Sequence, residues 1–546
     1  MTRRDSRIRP DSRLTAGEVE RNEANGSWGR VTLRSFLSDA AERWPERTAT
    51  VGYAQGRVDP AATFTYAQLD AHVSQLAAGL REMGSGPGDV VAVMLPNRVE
   101  FGALIFAINE IGATYTGIPA TYGAREVGQI LGQSHARVAV AEAGRPLAIV
   151  RGLRDSLALE HVVVLGEDEL PGDAGAGELA YAELAAAQGG ARADDPAAIA
   201  QLGYTSGTTG APKGVMNTAQ TLDAILRNWV AHVGGPSALG DPLVNLIASP
   251  VGHHTGFCWG VLLTAHLGGT AVFLDRWQPA VGAQVIEEQG VTTMFCAPTF
   301  VQDLVGLGDP RLRSTSLELI TIAGAPIPRS LPAAASEALG CRICPAWGMT
   351  EYAIAVSWAP QLGEEAQQTE GVAVAGAEVR VVSAAGEPLA PDTVGELEMR
   401  GAGLFIGYHE QPEANADAFE DGWFRTGDTA TIGANGYVTL VGRSKDIVIR
   451  GGENIPVADV ESVLFDHPLV RDLAIVGVPD ERLGQRACVV VVPAPGEPPT
   501  LADLCGHLGE QGVSKRYWPE RLELVDELPK TPSGKVRKVE LRERYA

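Results

Sequence analysis

Cysteine is scarce in this chain: 546 residues carry six, at Cys258, Cys296, Cys341, Cys344, Cys488 and Cys505. They lie in or near apolar stretches, unlike the dense disulfide framework of a small secreted domain, and fit a reducing, cytoplasmic setting. Cys341 and Cys344 have metal-like spacing, but no second pair lies nearby and the run around them reads as a strand, so their expected role is structural. Positive charge is also short. The 44 Lys and Arg face 67 Asp and Glu, a formal net charge of -23, which argues against nonspecific nucleic-acid binding and favours small molecules or other proteins as partners. No long apolar run is uninterrupted. The longest charge-free stretch, Pro242 to Leu274, contains Asn245, His253, His254, His266 and several glycines, so it reads as buried core and loop, and no membrane span is expected. The first 28 residues are arginine-rich and polar without an apolar centre, which excludes a secretory signal and leaves a loose leader as the expectation.

What is present is an α/β rhythm in a chain too long for one core, so two or three domains are expected. A helix is predicted over Tyr66 to Met83, with strand or helix candidates at Val90–Met94, Ile111–Ile118, Val138–Ala141 and His161–Leu165. Apolar runs at Leu243–Ala248, Thr270–Leu274, Thr293–Cys296 and Leu317–Ala323 continue the pattern. Short apolar strands between helices point to parallel or mixed sheets covered on both faces. From Gly371 to Leu440 alternating runs separated by Gly and Pro turns predict a strand-rich subdomain. Beyond it, strands at Lys445–Arg450, Ala474–Val478, Ala487–Val492 and Arg521–Val525 with helices at Val457–Phe465 and Leu501–Leu508 predict a compact unit. The expected division is a leader over 1–28, a large domain over 29–442 that includes the subdomain near 371–440, and a small domain over 443–546.

The most informative stretch is Tyr204-Thr-Ser-Gly-Thr-Thr-Gly-Ala-Pro-Lys-Gly214. Glycines leave backbone N–H groups unhindered, hydroxyls add donors and Lys213 adds positive charge, which together suit phosphate oxygens. It is not the P-loop of nucleotide hydrolases, because five residues after Gly207 stands Pro212 where that motif needs glycine. A flexible turn is the plain alternative. The other conspicuous segments also have plain readings when taken singly. His253 and His254 in Pro250-Val-Gly-His-His-Thr-Gly256 could be buried hydrogen-bonding histidines, and no acid or cysteine nearby completes a metal site. Ile322-Ala-Gly-Ala-Pro-Ile-Pro328 is a turn after a strand. Trp347-Gly-Met-Thr-Glu351 could be a capped helix start. Asp428 in Thr426-Gly-Asp428, and Arg443 fifteen residues on, could cap a turn or form a surface ion pair. Lys535 in Leu528-Pro-Lys-Thr-Pro-Ser-Gly-Lys535 could be a solvated surface group.

Taken in order, these segments resemble the superfamily of adenylate-forming enzymes, which comprises acyl- and aryl-CoA synthetases, nonribosomal-peptide adenylation domains and luciferases. The resemblance covers nearly the whole chain after the leader and is nearest in type to acyl-CoA synthetases. It implies an α/β fold with a large multi-subdomain N-terminal domain of mixed sheets and a small mobile α+β C-terminal domain. It implies an AMP-forming acid–thiol ligase that uses ATP, magnesium and CoA and activates a small-molecule carboxylate. By that resemblance Thr205, Ser206, Gly207, Thr208, Thr209, Gly210 and Lys213 hold phosphates, and His253 stands near the carboxylate pocket. Gly324, Ala325 and Pro326 border adenine and the acyl group, Trp347 stacks beside adenine, and Thr350 binds phosphate. Glu351 helps hold the metal, Asp428 holds the ribose with Arg443 as its companion, and Lys445 is the hinge. Gly452 lines the thiol tunnel, and Lys535 neutralises charge on the reacting phosphate.

Trp347 departs from the family's usual tyrosine: indole keeps a flat face but lacks a phenolic hydroxyl. Apolar and small residues at Phe257, Cys258, Trp259, Cys296, Ala297 and Ile322 favour a hydrophobic, medium-sized or alicyclic acid over an amino acid. Three other outcomes stay open: transfer of the acyl group to a separate carrier protein, a luciferase-like oxidation, and a nonenzymatic acyl-nucleotide-binding protein.

Overall fold

The computed structural model describes residues 11–54, 57–157, 159–166, 175, 177–193, 195–205, 212–443, 448–450, 453–480, 482–531 and 534–546. The large domain is built on two mixed sheets. In the seven-stranded sheet the order is Glu178–Ala180, His161–Leu165, Val138–Glu142, Val90–Met94, Thr114–Gly117, Ile199–Thr205 and Lys213–Thr218. All neighbours are parallel except the last pair, a hairpin in which Thr205 faces Lys213. Val162, Val163 and Val164 are all fully buried, so the strand is covered on both faces, as a parallel sheet requires.

The nine-stranded sheet runs Val372–Ala373, Tyr352–Ser357, Arg342–Met349, Leu319–Ile322, Thr293–Cys296, Val244–Ile247, Thr270–Leu274, Thr48–Ala54 and Arg57–Thr65. Its centre is parallel and both ends turn antiparallel. The helix Val99–Glu110 is buried around nearly its whole circumference, which is why its sequence shows little amphipathic periodicity. Tyr66–Glu82 is the helix expected from Tyr66 onward, started by a capping box between Thr65 and Gln68. The run 111–118 is shorter as a strand than its apolar pattern suggested, covering only Thr114–Gly117. The charge-free stretch 242–274 divides into two strands, a π-helix over Thr255–Leu262 and a short α-helix over Leu263–Leu267. Among the described residues no helix is long and apolar enough to cross a membrane.

A third, antiparallel sheet of Ala377–Val382, Gly395–Gly401, Trp423–Ile432, Phe419–Glu420 and Val438–Arg443 accounts for the alternating pattern near 371–440. The small domain follows. Its sheet contains Glu453–Ile455, Val448–Arg450, Gly484–Pro493, Val470–Asp480 and Arg521–Leu524, with helices Val457–Phe465, Leu501–Glu510 and Lys538–Tyr545. Side chains along the strand Gly484–Pro493 alternate between two cores: Val489 and Val491 pack with Val460, Leu464, Leu504 and Leu508, whereas Val490 and Val492 pack with Leu541. The protein is therefore a large α/β domain with several mixed sheets joined to a small α+β domain.

The expectation of a loose leader needs correction over 11–28. Thr15 and Glu18 form a capping box that starts the helix Ala16–Ala24, and Trp28 is buried with its indole N–H donating to the Ala402 carbonyl at 2.8 Å. Arg13 donates through Nε to the Phe405 carbonyl at 2.8 Å. Burying one large aromatic side chain contributes about 1.5–3 kcal/mol, enough to dock a segment whose composition alone reads as polar.

Candidate active site

The site lies where the large domain's sheets end and the small domain folds over them. The two ends of the glycine- and hydroxyl-rich loop are fixed by the hairpin that sets Thr205 opposite Lys213. Ser206, Gly207, Thr208, Thr209 and Gly210 lie outside the described residues. The Lys213 ammonium sits 4.5 Å from the ring centroid of Tyr408, a cation–π contact.

Trp347-Gly-Met-Thr-Glu351 is a β-hairpin and not a helix start. The strand Arg342–Met349 turns through Thr350 and Glu351 into Tyr352–Ser357, with Met349 paired to Tyr352. Gly348 is required here, since a Cβ at this position would lie 2.0 Å from the Ala353 carbonyl oxygen. The turn places Thr350 against Gly203, at the end of the strand that enters the loop. Glu351 is buried, accepts a hydrogen bond from the Tyr408 hydroxyl at 2.8 Å through Oε1, and leaves Oε2 buried without a partner among the described residues. Burial holds this carboxyl above the usual carboxylate range, while the Tyr408 hydrogen bond and the charges of Arg443 and Lys213 oppose the shift. Tyr408 is the residue the sequence did not reveal. It stands in an ordinary apolar run, and only the chain path, with the Phe405 N–H donating to the Glu351 carbonyl at 2.9 Å, brings it to the site.

Asp428 and Arg443 face each other across two strands, with Arg443 Nε 3.1 Å from Asp428 Oδ1. The second oxygen, Oδ2, accepts from the indole N–H of Trp347 at 2.9 Å. Burial raises the Asp428 carboxyl above its ordinary range, opposed by Arg443, Trp347 and Lys535.

Lys535 reaches this group from the small domain. Its Cε lies 3.9 Å from where a Cβ on Gly324 would stand, so it overhangs the turn that also carries half-buried Ala325 and exposed Pro326. Gly324 adopts φ +85°, a left-handed conformation that favours glycine. Lys535 is exposed to solvent beside this group. Its pKa is lowered by desolvation and by Arg443, and held up by Asp428 and Glu351. The positive charge of Lys535 is also felt by His253, whose pKa is pushed down to about 4, chiefly by burial. His253 packs edge-on to Tyr122, with ring centroids 6.1 Å apart. The small domain is held in this arrangement by Ser462, which accepts from the Arg329 N–H at 3.2 Å, and by a Ser330–Asp466 hydrogen bond.

The structure thus gathers Gly324, Trp347, Glu351, Asp428 and Arg443 near Lys535, with Lys213 joined to them through Tyr408 and His253 within electrostatic reach of Lys535. Lys445 and Gly452 lie outside the described residues. Phe257, Cys258, Trp259, Cys296, Ala297 and Ile322 are all buried, whereas 252–255 and 323–325 in the same segments stay part-accessible.

The orphaned Glu351 oxygen tests the fit of magnesium. A buried, unpartnered carboxylate oxygen is costly, and a hard cation would satisfy it. Among the described residues no trio of His, Cys, Asp or Glu could hold a metal by itself. Magnesium commonly takes one or two carboxylates and completes its shell with phosphate and water, so the Glu351 carboxylate is a donor of the right kind for it.

Comparison with known proteins identifies the family. The AMP-binding enzyme family matches residues 37–409, and the AMP-binding enzyme C-terminal domain matches residues 459–535. The chain is 32% identical over 531 residues to the medium-chain fatty-acid–CoA ligase of Escherichia coli (strain K12), across 95% of this chain and 91% of that protein. It is 33% identical over 529 residues to the salicyl-AMP ligase / salicyl-S-ArCP synthetase of Mycobacterium tuberculosis (strain ATCC 25618 / H37Rv), across 94% and 91%. The crystal structure of ATP-bound MatB from Rhodopseudomonas palustris superposes with a TM-score of 0.83 at 27% identity, across 94% of this chain and 98% of that one. The chain therefore belongs to the AMP-binding enzymes of the adenylate-forming superfamily, and is an acyl-adenylate-forming enzyme.

Proposed function

We propose that this enzyme is an AMP-forming acyl-CoA synthetase for a hydrophobic, medium-sized or alicyclic carboxylic acid. The observation that carries the reading is Lys535: a single lysine of the small domain lies beside Gly324 and interacts electrostatically with Glu351, Asp428 and Arg443.

In the first half-reaction a carboxylate oxygen attacks the α-phosphorus of ATP, a P–O bond forms, and the bond to pyrophosphate breaks. No protein nucleophile is needed. Thr205, Ser206 to Gly210, Lys213 and Thr350 would hold phosphate oxygens, Asp428 with Arg443 would hold the ribose, and Gly324, Ala325, Pro326 and Trp347 would border the adenine. His253, neutral because of its low pKa, would pack against the reacting carboxylate without adding charge. Lys535 would neutralise charge as the phosphate bond breaks. Glu351 would hold magnesium, which when bound supplies charge neutralisation on the phosphates. In the second half-reaction the thiol sulfur of CoA attacks the acyl carbon and AMP leaves. We assign the small domain to 443–546, with Arg443 at its edge still paired in the third sheet, turning at Lys445 so that Gly452 replaces Lys535, its missing side chain leaving room for pantetheine.

The similarity to a salicyl-S-ArCP synthetase favours a second reading, transfer to a separate carrier protein. The test is carboxylate-dependent pyrophosphate release over a panel of acids, followed by product mass with CoA or a carrier as acceptor. CoA thioester is the expected product. Pyrophosphate release with thioester formed only on a carrier would favour the second reading, and no acid-dependent release with any acid would overturn both.

A further inference from the structure

Asp428 is held from two different sheets. Arg443, its neighbour across the antiparallel pair, donates to Oδ1, and Trp347, from the hairpin that extends the nine-stranded sheet, donates to Oδ2. An ionised carboxylate offers about four acceptor sites, two on each oxygen. One site on each oxygen is therefore taken, and among the described residues the other site on each oxygen has no partner. Two free sites match the two hydroxyls of a ribose. The indole N–H donates and cannot accept, so Trp347 can meet only the ionised oxygen or the unprotonated oxygen of the acid. The ring itself is fixed: Trp347 is 6% exposed and its strand pairs it with Val356.

We propose that Trp347 is a positioning residue whose indole N–H orients Asp428, so that each carboxylate oxygen keeps one acceptor site for one ribose hydroxyl. The inference rests on the assignment of Asp428 to the ribose. It gives the tryptophan a role through its edge, distinct from stacking through its face. It also gives a physical use to the departure from tyrosine, because a phenol carries its donor at the far end of the ring and cannot present it from the same point.

The test compares ATP with 2′-deoxy-ATP and 3′-deoxy-ATP in acid-dependent pyrophosphate release. Three folded variants are used: Trp347→Phe, Trp347 replaced site-specifically by benzothienylalanine (sulfur in place of N–H, with nearly the same ring), and Asp428→Ala. The wild-type enzyme should prefer ATP over each deoxynucleotide by about tenfold or more in kcat/KM, the effect of one hydrogen bond to a charged group. In both Trp347 variants the preference should fall to about threefold or less, mainly through KM for ATP. Arg443 and Lys535 also face Asp428, and with both unchanged, loss of the indole donor should move the acidic limb of the kcat/KM profile for ATP to higher pH.

A stacking role alone predicts equal losses for all three nucleotides and an unmoved acidic limb, and that result would overturn the inference. If Asp428→Ala leaves the preference for ATP intact, the ribose assignment itself fails and the inference falls with it. If Asp428→Ala abolishes the preference while the benzothienylalanine variant retains it, the ribose assignment stands and the role of Trp347 is refuted.

Discussion

Replacing Lys535 with alanine isolates the first half-reaction. The Lys535 Cε lies 3.9 Å from the Cβ position of Gly324, and the ammonium interacts electrostatically with Asp428 and Glu351. A full negative charge about 4 Å from an ammonium interacts with it by about 4 kcal/mol at an effective dielectric constant near 20. Only part of a charge develops as carboxylate attacks the α-phosphate, so the loss should be near the ~2.7–4 kcal/mol seen when one preorganised donor is removed, about 10²–10³ in turnover. The second half-reaction breaks no phosphoanhydride bond; its charge develops on the departing AMP, after the proposed turn of the small domain would have carried the lysine away from the site. The assay therefore has two arms: pyrophosphate release from ATP with free acid, and thioester formation from supplied acyl-AMP with CoA. Lys535→Ala should lose about 10²–10³ in the first arm and stay within about threefold in the second. Equal losses in both arms for a folded variant would refute the reasoning and point to a general closure defect.

Three further outcomes are expected. Gly452→Leu should give the reverse imbalance, with pyrophosphate release retained and thioester formation from acyl-AMP reduced at least about tenfold, because a branched side chain obstructs the pantetheine path; retained thioester formation removes Gly452 from that path. Glu351→Gln keeps the volume and loses the charge, so a magnesium titration of adenylation should shift to higher metal by about tenfold or more, whereas an unshifted titration takes Glu351 out of the metal site. His254 has a pKa pushed down to about 4 by burial, below the ordinary 6.5, so the unfolded chain binds its proton more readily and stability should fall as pH drops from about 6.5 toward 4. Allowing for the partial exposure of this residue, His254→Gln should shrink the loss of unfolding free energy between pH 7 and 5 by about 1 kcal/mol, and denaturant titrations at the two pH values decide this.

Much of the architecture was legible because local chemistry and tertiary environment agree. The strands Val90–Met94, His161–Leu165, Thr270–Leu274 and Thr293–Cys296 have the bounds their apolar runs predict, since a strand buried on both faces leaves an unbroken hydrophobic record. The helix Val457–Phe465 was equally plain. The docking of 11–28 was not, because a polar segment takes its place from a few long-range contacts such as Trp28 to Ala402, nor was the hairpin of Thr48–Ala54 and Arg57–Thr65, whose first strand is buried by pairing with Thr270–Leu274, more than 200 positions away.

Residue types and their order in the chain determined the family of chemistry: the hydroxyl- and glycine-rich loop, Trp347-Gly-Met-Thr-Glu351, Thr426-Gly-Asp428 and the lysine after Ser-Gly were all readable without a fold. Only the tertiary structure decided what those residues touch. It brought Tyr408 to Glu351 from 57 positions away and Trp347 to Asp428 from 81, and it left one Glu351 oxygen buried without a partner among the described residues. Linear spacing records which groups a chain carries, whereas hydrogen-bond geometry and burial, which set the acidity and free acceptor sites of each carboxylate, exist only once distant strands have closed around them.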